Sequence, residues 1–298
     1  MNNHVTHFSD LTLADQKLLP SPFELEKFNM LGWYTSPKML PDELIEAAIL
    51  GSHAFYAGER DFELPSKLGI ADDSNTAQNV LSNNEFVTLQ KQELRDLGFY
   101  KLIVATAAIL SGTKAVRLFA DSLINKQPQT HNDRGIVGWH TDKAYWPTCT
   151  SNNMLTAWIP LQDVTIDMGP VVYLNSSHHW VDQQELKQFY SFNNQNLSGL
   201  SEYLKSVEIP IIESPMTVKR GQVCFHNCNV IHASKPNTSG KPRLALAIHF
   251  QDQANCYQRC LDENGNAISI GYDKICSHDK NGLPDYNDPS VFPVVYSE

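Results

Sequence analysis

The feature that most constrains the fold is a series of short β-type segments that begins near residue 114. Each is rich in apolar or β-branched residues and is bounded by turn-forming residues, as strands are. In chain order the segments read AVRLF, SLIN, MLTAWIPL, PVVYL, MTV, QVCFH and LALAIHF. Strands this short and this closely spaced are typical of all-β architectures. The pattern therefore predicts a β-sandwich or jelly roll.

The part of the chain before residue 114 has helical spacing instead. Residues 40–51 open with Pro and acidic residues and close on Gly, as helices do. Residues 74–112 repeat apolar side chains at helical intervals and end at Ser111-Gly112. We therefore expect a helical layer that supports the β segments, preceded by a polar, weakly ordered lead-in over residues 1–21.

We predict one domain over residues 22–255, followed by a turn-rich tail, residues 256–298, that packs on the same domain. A polar insert at residues 182–206 separates two of the β segments. Such inserts often act as lids, although an ordinary surface excursion fits equally well. The stretch 262–266 resembles the opening of a calcium loop, but the sixth loop position is Ala267 rather than Gly and the twelfth is Asp273 rather than Glu, so a tight turn is predicted there.

Charge and cysteine content exclude several classes of protein. The net charge is −10, and no Lys/Arg cluster exceeds two adjacent residues, so we expect neither a nucleic-acid partner nor an anionic membrane surface. The N-terminus has no secretory pattern, and the longest apolar runs are too short for a membrane span. Six cysteines without a CxxC pair predict reduced thiols in a cytoplasmic protein.

The segment GWHTDKAYW, residues 138–146, places His140 and Asp142 two residues apart. On a strand such residues share a face, so both side chains can reach one metal ion. The triplet alone is weak evidence because the chain has eleven histidines. Residues 221–234 strengthen it, since a Gly turn and two strand-like runs lead there to His232. Two histidines and one carboxylate on one face of a metal are the ligands of non-heme Fe(II) oxygenases.

Arg243 lies eleven residues after His232, at the start of an apolar strand. In a jelly roll that offset can place it on the adjacent strand, pointing into the same cavity. A buried arginine needs a carboxylate partner. We expect a dicarboxylate co-substrate to meet it if no acid of the protein does.

Together these residues resemble the phytanoyl-CoA dioxygenase family of iron(II)/2-oxoglutarate-dependent oxygenases. The resemblance covers about residues 22–255 and rests first on His140-x-Asp142, His232, Ser234 and Arg243. Further similar segments are LINK at 123–126, LTAWIPL at 155–161, and MGP at 168–170 running to SSH at 176–178. In the last of these segments the family usually has Asn-Gly where this chain has Met168-Gly169, and Gly-Ser-His where this chain has Ser176-Ser177-His178.

The resemblance implies a mainly β protein with α support, whose core is a double-stranded β-helix (jelly roll, cupin-like). It also implies Fe(II) bound by His140, Asp142 and His232, with 2-oxoglutarate and O2 as co-substrates and with succinate and CO2 as products. Related halogenases have Gly or Ala at the carboxylate position, so Asp142 argues against halogenation.

The resemblance further implies a co-substrate pocket around Arg243. By position, Ser234 would help to hold the distal carboxylate of 2-oxoglutarate, and Thr156 and Trp158 would line the pocket. An ordinary strand hydroxyl remains open for Ser234 and Thr156, as does a core indole for Trp158. Lys126 matches the family in sequence alone, and no role is assigned to it.

Tyr145 and Trp146 follow the metal motif, where they could equally form a substrate wall or pack in the core. A turn or packing role is predicted for His178 and His179. His226 and His249 could flank the cavity, but a satisfied structural role is favoured for both.

The predicted reaction is hydroxylation of an unactivated C–H in a small secondary metabolite or amino-acid-type substrate. Desaturation, cyclisation and epimerisation use the same ligands and stay open. A zinc hydrolase or a non-catalytic metal-binding jelly roll would leave Arg243 unexplained. No phosphate-cradling loop or basic patch favours a coenzyme A thioester.

Overall fold

Two β-sheets form the body of the computed structural model, which describes residues 5–64, 80–129, 135–180, 183–191, 194 and 196–298. The strands are β1 (Thr6–His7), β2 (Trp33–Thr35), β3 (Leu81–Glu85), β4 (Ala115–Lys126), β5 (Val137–His140), β6 (Leu155–Pro160), β7 (Val171–Leu174), β8 (Glu213–Pro215), β9 (Cys224–Asn227), β10 (His232–Ser234), β11 (Arg243–Asp252) and β12 (Val294–Ser297). The large sheet has the order β1-β12-β4-β11-β6-β9-β2, with β3 also paired to β4. The small sheet has the order β5-β10-β7-β8.

Helices pack against the outer faces of both sheets. They are α1 (Leu13–Gln16), α2 (Pro22–Leu31), α3 (Asp42–Tyr56), α4 (Gln92–Gly98), α5 (Lys101–Ser111), α6 (Gln183–Leu186), α7 (Ser198–Ser206) and α8 (Gly271–Ile275). The main hydrophobic core lies between α3, α4, α5 and the large sheet. None of the helices in the described residues has both the length and the apolar composition that a membrane span requires.

Strand β11 shows how the sequence separates this core from the interior between the two sheets. Leu246 and Ile248 point to the helical layer and belong to the main core. Ala245 and Ala247 alternate with them and face the opposite way, toward the small sheet. Because a strand sends successive side chains to opposite faces, Leu246 and Ile248 lie outside. The small Ala245 and Ala247 lie inside, between Arg243 and His249, which also face the cavity. The small inner residues leave room for a cavity.

The small sheet repeats this alternation. Trp139 and Ile231 point outward and pack with Leu200 and Leu204 of the 182–206 insert, whereas His140 and His232 line the cavity. The described residues of the insert contribute nothing to the cavity wall. The described part of the insert therefore packs on the back of the small sheet.

The predicted jelly-roll class is confirmed, but several element boundaries differ from the sequence prediction. AVRLF and SLIN form the single strand β4, because the intervening Asp121 is buried and accepts hydrogen bonds from the backbone N–H groups of Val87 and Thr88. Because these hydrogen bonds satisfy the Asp121 carboxylate inside the protein, the chain does not have to turn there to expose it to water. MTV is not a strand; within it, Val218 makes only an isolated bridge to Val164.

The N-terminal predictions need two further corrections. Residues 81–85 are strand rather than helix, because they pair with the exposed edge of β4; residues 74–79 of the predicted helical region lie outside the described residues. The lead-in is ordered from residue 5, since β1 pairs with β12 and α1 follows it. The predicted tight turn is present, with Asp262 Oδ1 accepting from the backbone of Asn264 and Asn266.

The contact between the insert and β5 predicts the effect of one substitution. A Cβ at Gly138 would lie 2.1 Å from the carbonyl oxygen of Ser191 and 2.7 Å from that of Asn194. Gly138→Ala should therefore lower the free energy of unfolding by about 1–3 kcal/mol, the usual cost of overpacking. Thermal unfolding and limited proteolysis of the insert would measure it. Gly199→Ala is the matched control, since its Cβ meets nothing closer than 3.7 Å. Equal melting temperatures for the two variants would contradict the prediction.

Candidate metal and co-substrate site

Pairing between β5 and β10 brings three candidate metal ligands together. His140 ends β5, His232 begins β10, and the register places the two opposite each other. Asp142 is the first residue of a 3-10 helix, Asp142–Tyr145, so it reaches the site through a turn and not along a strand as predicted. All three side chains are buried, and their ligand atoms lie within 4.8 Å of one another.

Both histidines are oriented by the backbone of their own strands. His140 Nδ1 lies 2.8 Å from the carbonyl oxygen of Gly138, and His232 Nδ1 lies 3.0 Å from that of Val230. A carbonyl only accepts, so each Nδ1 carries the proton and each Nε2 the lone pair. Burial lowers the pKa of His140, and it lowers that of His232 well below its usual value. Neutral imidazoles with a fixed tautomer are what metal binding requires.

One oxygen of Asp142 is saturated by hydrogen bonds and the other is not. Oδ2 accepts from the Thr156 hydroxyl at 2.5 Å and lies 2.9 Å from His226 Nε2. Oδ1 lies 3.6 Å from His232 Nε2. Burial opposes ionisation, but the electrostatic influence of His232 and His226, together with the hydrogen bond from His226, outweighs it and holds the pKa of Asp142 well below its usual range. The carboxylate is thus set to offer Oδ1 to an ion.

Two residues further out support these contacts. The Tyr173 hydroxyl lies 2.9 Å from His226 Nδ1, and His249 Nδ1 lies 2.7 Å from the Thr156 hydroxyl. One proton arrangement satisfies every bond: Tyr173 donates to His226, His226 to Asp142, His249 to Thr156, and Thr156 to Asp142.

His226 and His249 are hydrogen-bonded, as expected of structural histidines, and they also flank the cavity, which was the less favoured alternative. Both line the cavity beside Asp142, and burial lowers the pKa of His249 to about 4. Strand register brings them there, since Thr156 is the ladder partner of both. The alternation of side chains along the sequences CFH and AIH marks His226 and His249 as inward-facing, and it could have indicated that both reach the cavity.

Two buried cations lie side by side at one end of the cavity. Arg243 begins β11 and pairs in register with Lys126, the last residue of β4. Burial lowers the pKa of Arg243 to about 10, and burial followed by the Arg243 charge lowers that of Lys126 well below its usual value. Within the described ranges no carboxylate pairs with either. The Arg243 Nε and Nη1 atoms have no hydrogen-bond partner there.

The neighbours of Arg243 are also polar. Lys126 Nζ donates to the Ser234 hydroxyl at 2.5 Å and to the carbonyl oxygen of Lys235 at 2.8 Å. The Trp158 ring lies 5.3 Å from Arg243 Cζ, and its indole N–H has no partner in the described part of the chain. Arg243, Ser234 and Trp158 are therefore brought together as predicted, with Lys126 as an addition that sequence analysis missed.

Two positions differ from expectation. The Thr156 hydroxyl serves Asp142 and not the arginine end of the cavity. Arg243 does not lie on a strand adjacent to that of His232, since β10 and β11 belong to different sheets. It reaches the same cavity from the opposite wall.

The candidate metal ligands and Arg243 line one cavity of about 310 Å³, at the low end of the range for small-molecule sites. Tyr145 and Trp146 both line it, with different surroundings. Trp146 is buried against Phe119 and His249. Tyr145 is 43% exposed and meets His140 edge-on, which places it at the mouth. His178 and His179 lie elsewhere, with both rings near the carbonyl oxygen of Asn29.

Two solved structures share this architecture. The carbocyclase SnoK from nogalamycin biosynthesis, described as non-heme and alpha-ketoglutarate-dependent, superposes with a TM-score of 0.68 at 19% identity, over 92% of this chain and 96% of its own. EctD from S. alaskensis, solved with 2-oxoglutarate and 5-hydroxyectoine, gives 0.60 at 15% identity over 80% and 79%. At these identities the likeness establishes the fold.

The sequence relationship is more specific. Phytanoyl-CoA dioxygenase from Bos taurus, a peroxisomal protein, is 27% identical over 136 residues, which are 45% of this chain and 39% of that protein. The match thus spans less than half of the relative's length. The phytanoyl-CoA dioxygenase family model matches residues 53–245, well over half of the chain. The family indicated by the residues around His140, His232 and Arg243 is therefore confirmed, and the protein belongs to the phytanoyl-CoA dioxygenase family.

Proposed function

We propose that the protein is an Fe(II)/2-oxoglutarate-dependent dioxygenase that hydroxylates an unactivated C–H of a small-molecule substrate. The observation that carries the proposal is the buried Arg243, which has unpartnered N–H groups in the same cavity as a His-Asp-His group. A zinc hydrolase or a non-catalytic metal-binding protein would leave that guanidinium without a carboxylate. Two neighbouring buried cations fit one distal carboxylate of a keto diacid.

The donor set fits an iron ion. His140 Nε2, His232 Nε2 and Asp142 Oδ1 would hold it, which is the two-histidine, one-carboxylate arrangement of non-heme Fe(II) oxygenases. When bound, iron and 2-oxoglutarate supply the oxidising chemistry by which O2 is activated, with CO2 and succinate released. The residues of the chain orient the co-substrate and keep bulk water from the reacting atoms.

Three features of the chain restrict the reaction. Asp142 occupies the position that chloride would need in a halogenase, so hydroxylation is favoured over halogenation. The cavity of about 310 Å³ suits a small metabolite. Cyclisation or epimerisation remains the alternative outcome, supported by the carbocyclase likeness in fold. The six free thiols support the cytoplasm as the compartment.

The first prediction concerns metal binding. His140→Ala or His232→Ala should abolish detectable Fe(II) binding and succinate formation, because two protein ligands rarely retain the ion. Anaerobic calorimetry with Fe(II) and a succinate assay would measure this. His179→Ala is the control, since His179 is exposed and its ring lies near the Asn29 carbonyl. Near-normal, iron-dependent succinate formation by either ligand variant would remove that residue from the group.

The second prediction concerns the carboxylate anchor. Removing one partner of a buried ion pair typically costs about 3–5 kcal/mol, and about 1.4 kcal/mol is tenfold in affinity. Arg243→Ala should therefore weaken 2-oxoglutarate binding on the order of a hundredfold or more, with iron affinity retained. Arg243→Lys should recover part of the loss, because an ammonium lacks the planar fork.

A 2-oxoglutarate titration of the anaerobic Fe(II) charge-transfer band would test the anchor. Arg220→Ala is the matched control, because Arg220 pairs with Glu46 at the surface. Unchanged affinity in Arg243→Ala would place the anchor elsewhere and defeat the co-substrate assignment.

The third prediction concerns the hydroxyl on Asp142. Loss of a partner that orients a metal ligand typically costs about 10- to 100-fold in metal affinity. Thr156→Val, which is nearly isosteric, should show such a loss in Fe(II) calorimetry, whereas Thr156→Ser should bind close to wild type. Tight binding by the valine variant would show that Asp142 is oriented without the hydroxyl.

A further inference from the structure

One carboxylate in the cavity takes no part in the metal or co-substrate sites. Glu85 is the last residue of β3 and lines the same cavity as His140 and Arg243. It pairs in register with Ser122, four residues before Lys126 on β4. At about 3.3 Å per residue, Glu85 lies about 13 Å along the strand from Lys126. That distance is too long for a direct ion pair.

The wall between Glu85 and the metal ligands consists of small side chains. Across the large sheet the ladder runs from Glu85 through Ser122 and Ala247 to Trp158. Ser122 and Ala247 both face the cavity. Because neither fills the space above its strand, Glu85 opens onto the same volume as the metal ligands.

Glu85 has one side-chain hydrogen bond in the described residues. The Tyr272 hydroxyl donates to Glu85 Oε1 at 3.2 Å, and the Tyr272 ring is held edge-on by Phe86 and Phe119. No lysine or arginine of the described ranges makes an ion pair with Glu85. Burial raises the pKa of Glu85, with the Tyr272 bond opposing the shift in part.

Tyr272 keeps its proton beside Glu85. Burial and then the charge of Glu85 raise the pKa of Tyr272 well above its usual value, and the more distant Asp142 adds to the effect. The phenol therefore keeps its proton and acts as a donor. With its O–H directed at Oε1, the lone pairs of Oε2 remain for a ligand that enters the cavity.

We propose that Glu85 binds a protonated amine of the substrate, so that the protein acts on cationic small molecules. A half-buried carboxylate without a cation is unfavourable, and an ammonium group would both neutralise it and donate to Oε2. An anionic substrate would be repelled at the same point. This inference rests on the proposed function, since it takes the space beside the metal ligands as the substrate site.

The test compares three probes of similar shape and different charge: cyclohexylmethylammonium, cyclohexylmethanol and cyclohexanecarboxylate. Each is titrated calorimetrically into protein that holds Fe(II) and 2-oxoglutarate without O2. A hydrogen bond to a charged group discriminates by about tenfold or more. The ammonium should bind wild type at least about tenfold more tightly than the alcohol, with the carboxylate weakest. Glu85→Gln should abolish this preference and leave 2-oxoglutarate affinity unchanged.

Glu43→Gln is the matched control, because Glu43 is exposed on α3 and its loss removes the same charge far from the cavity. It should keep the preference for the ammonium. The inference is overturned if the ammonium binds no better than the alcohol, including the case in which neither binds, or if Glu85→Gln keeps the preference. Loss of 2-oxoglutarate binding by the wild type would instead defeat the proposed function.

Discussion

A buried carboxylate surrounded by three imidazoles and a hydroxyl organises the centre of this protein. Asp142 contacts Thr156 and His226 directly, and it lies within 4 Å of His232 and His249. These partners come from β6, β9, β10 and β11, so both sheets converge on one side chain. A buried charge is tolerated only where such contacts replace water. The two sheets must therefore keep their relative position for Asp142 to remain ionised and correctly oriented.

Charge along the cavity is segregated. Arg243 lines the cavity with Lys126 beside it on β4, whereas Glu85 lines the cavity at the level of Ala247, four residues along β11 from Arg243. Within the described residues, neither the cations nor Glu85 is neutralised by an oppositely charged side chain. The cations and Glu85 thus each lack a counter-ion that a ligand can supply: a carboxylate for the cations and an ammonium for Glu85.

The cavity itself depends on how residue size is distributed on β11 and its neighbours. Ala245 and Ala247 face inward while Leu246 and Ile248 fill the helical layer. Large side chains at the inner positions would close the space, whereas small ones at the outer positions would leave voids in the main core. The same strand therefore stabilises the fold with one face and creates the site with the other.

The sequence alone determined the family, the ligand types and the inward alternation of the strands, because these depend on residue identity and on the period of two. For this reason the sequence was sufficient to propose His140, His232 and Arg243 as residues of the site. Long-range pairing decided the rest. Residues 81–85 are polar and became β3 only because β4 offered an unpaired edge, and this placed Glu85 in the cavity. His226 and His249 met Asp142 through strand register, and Lys126 met Ser234 across two sheets. Such contacts join residues far apart in the chain, so no local pattern specifies them, and only the packed tertiary structure brings those side chains together.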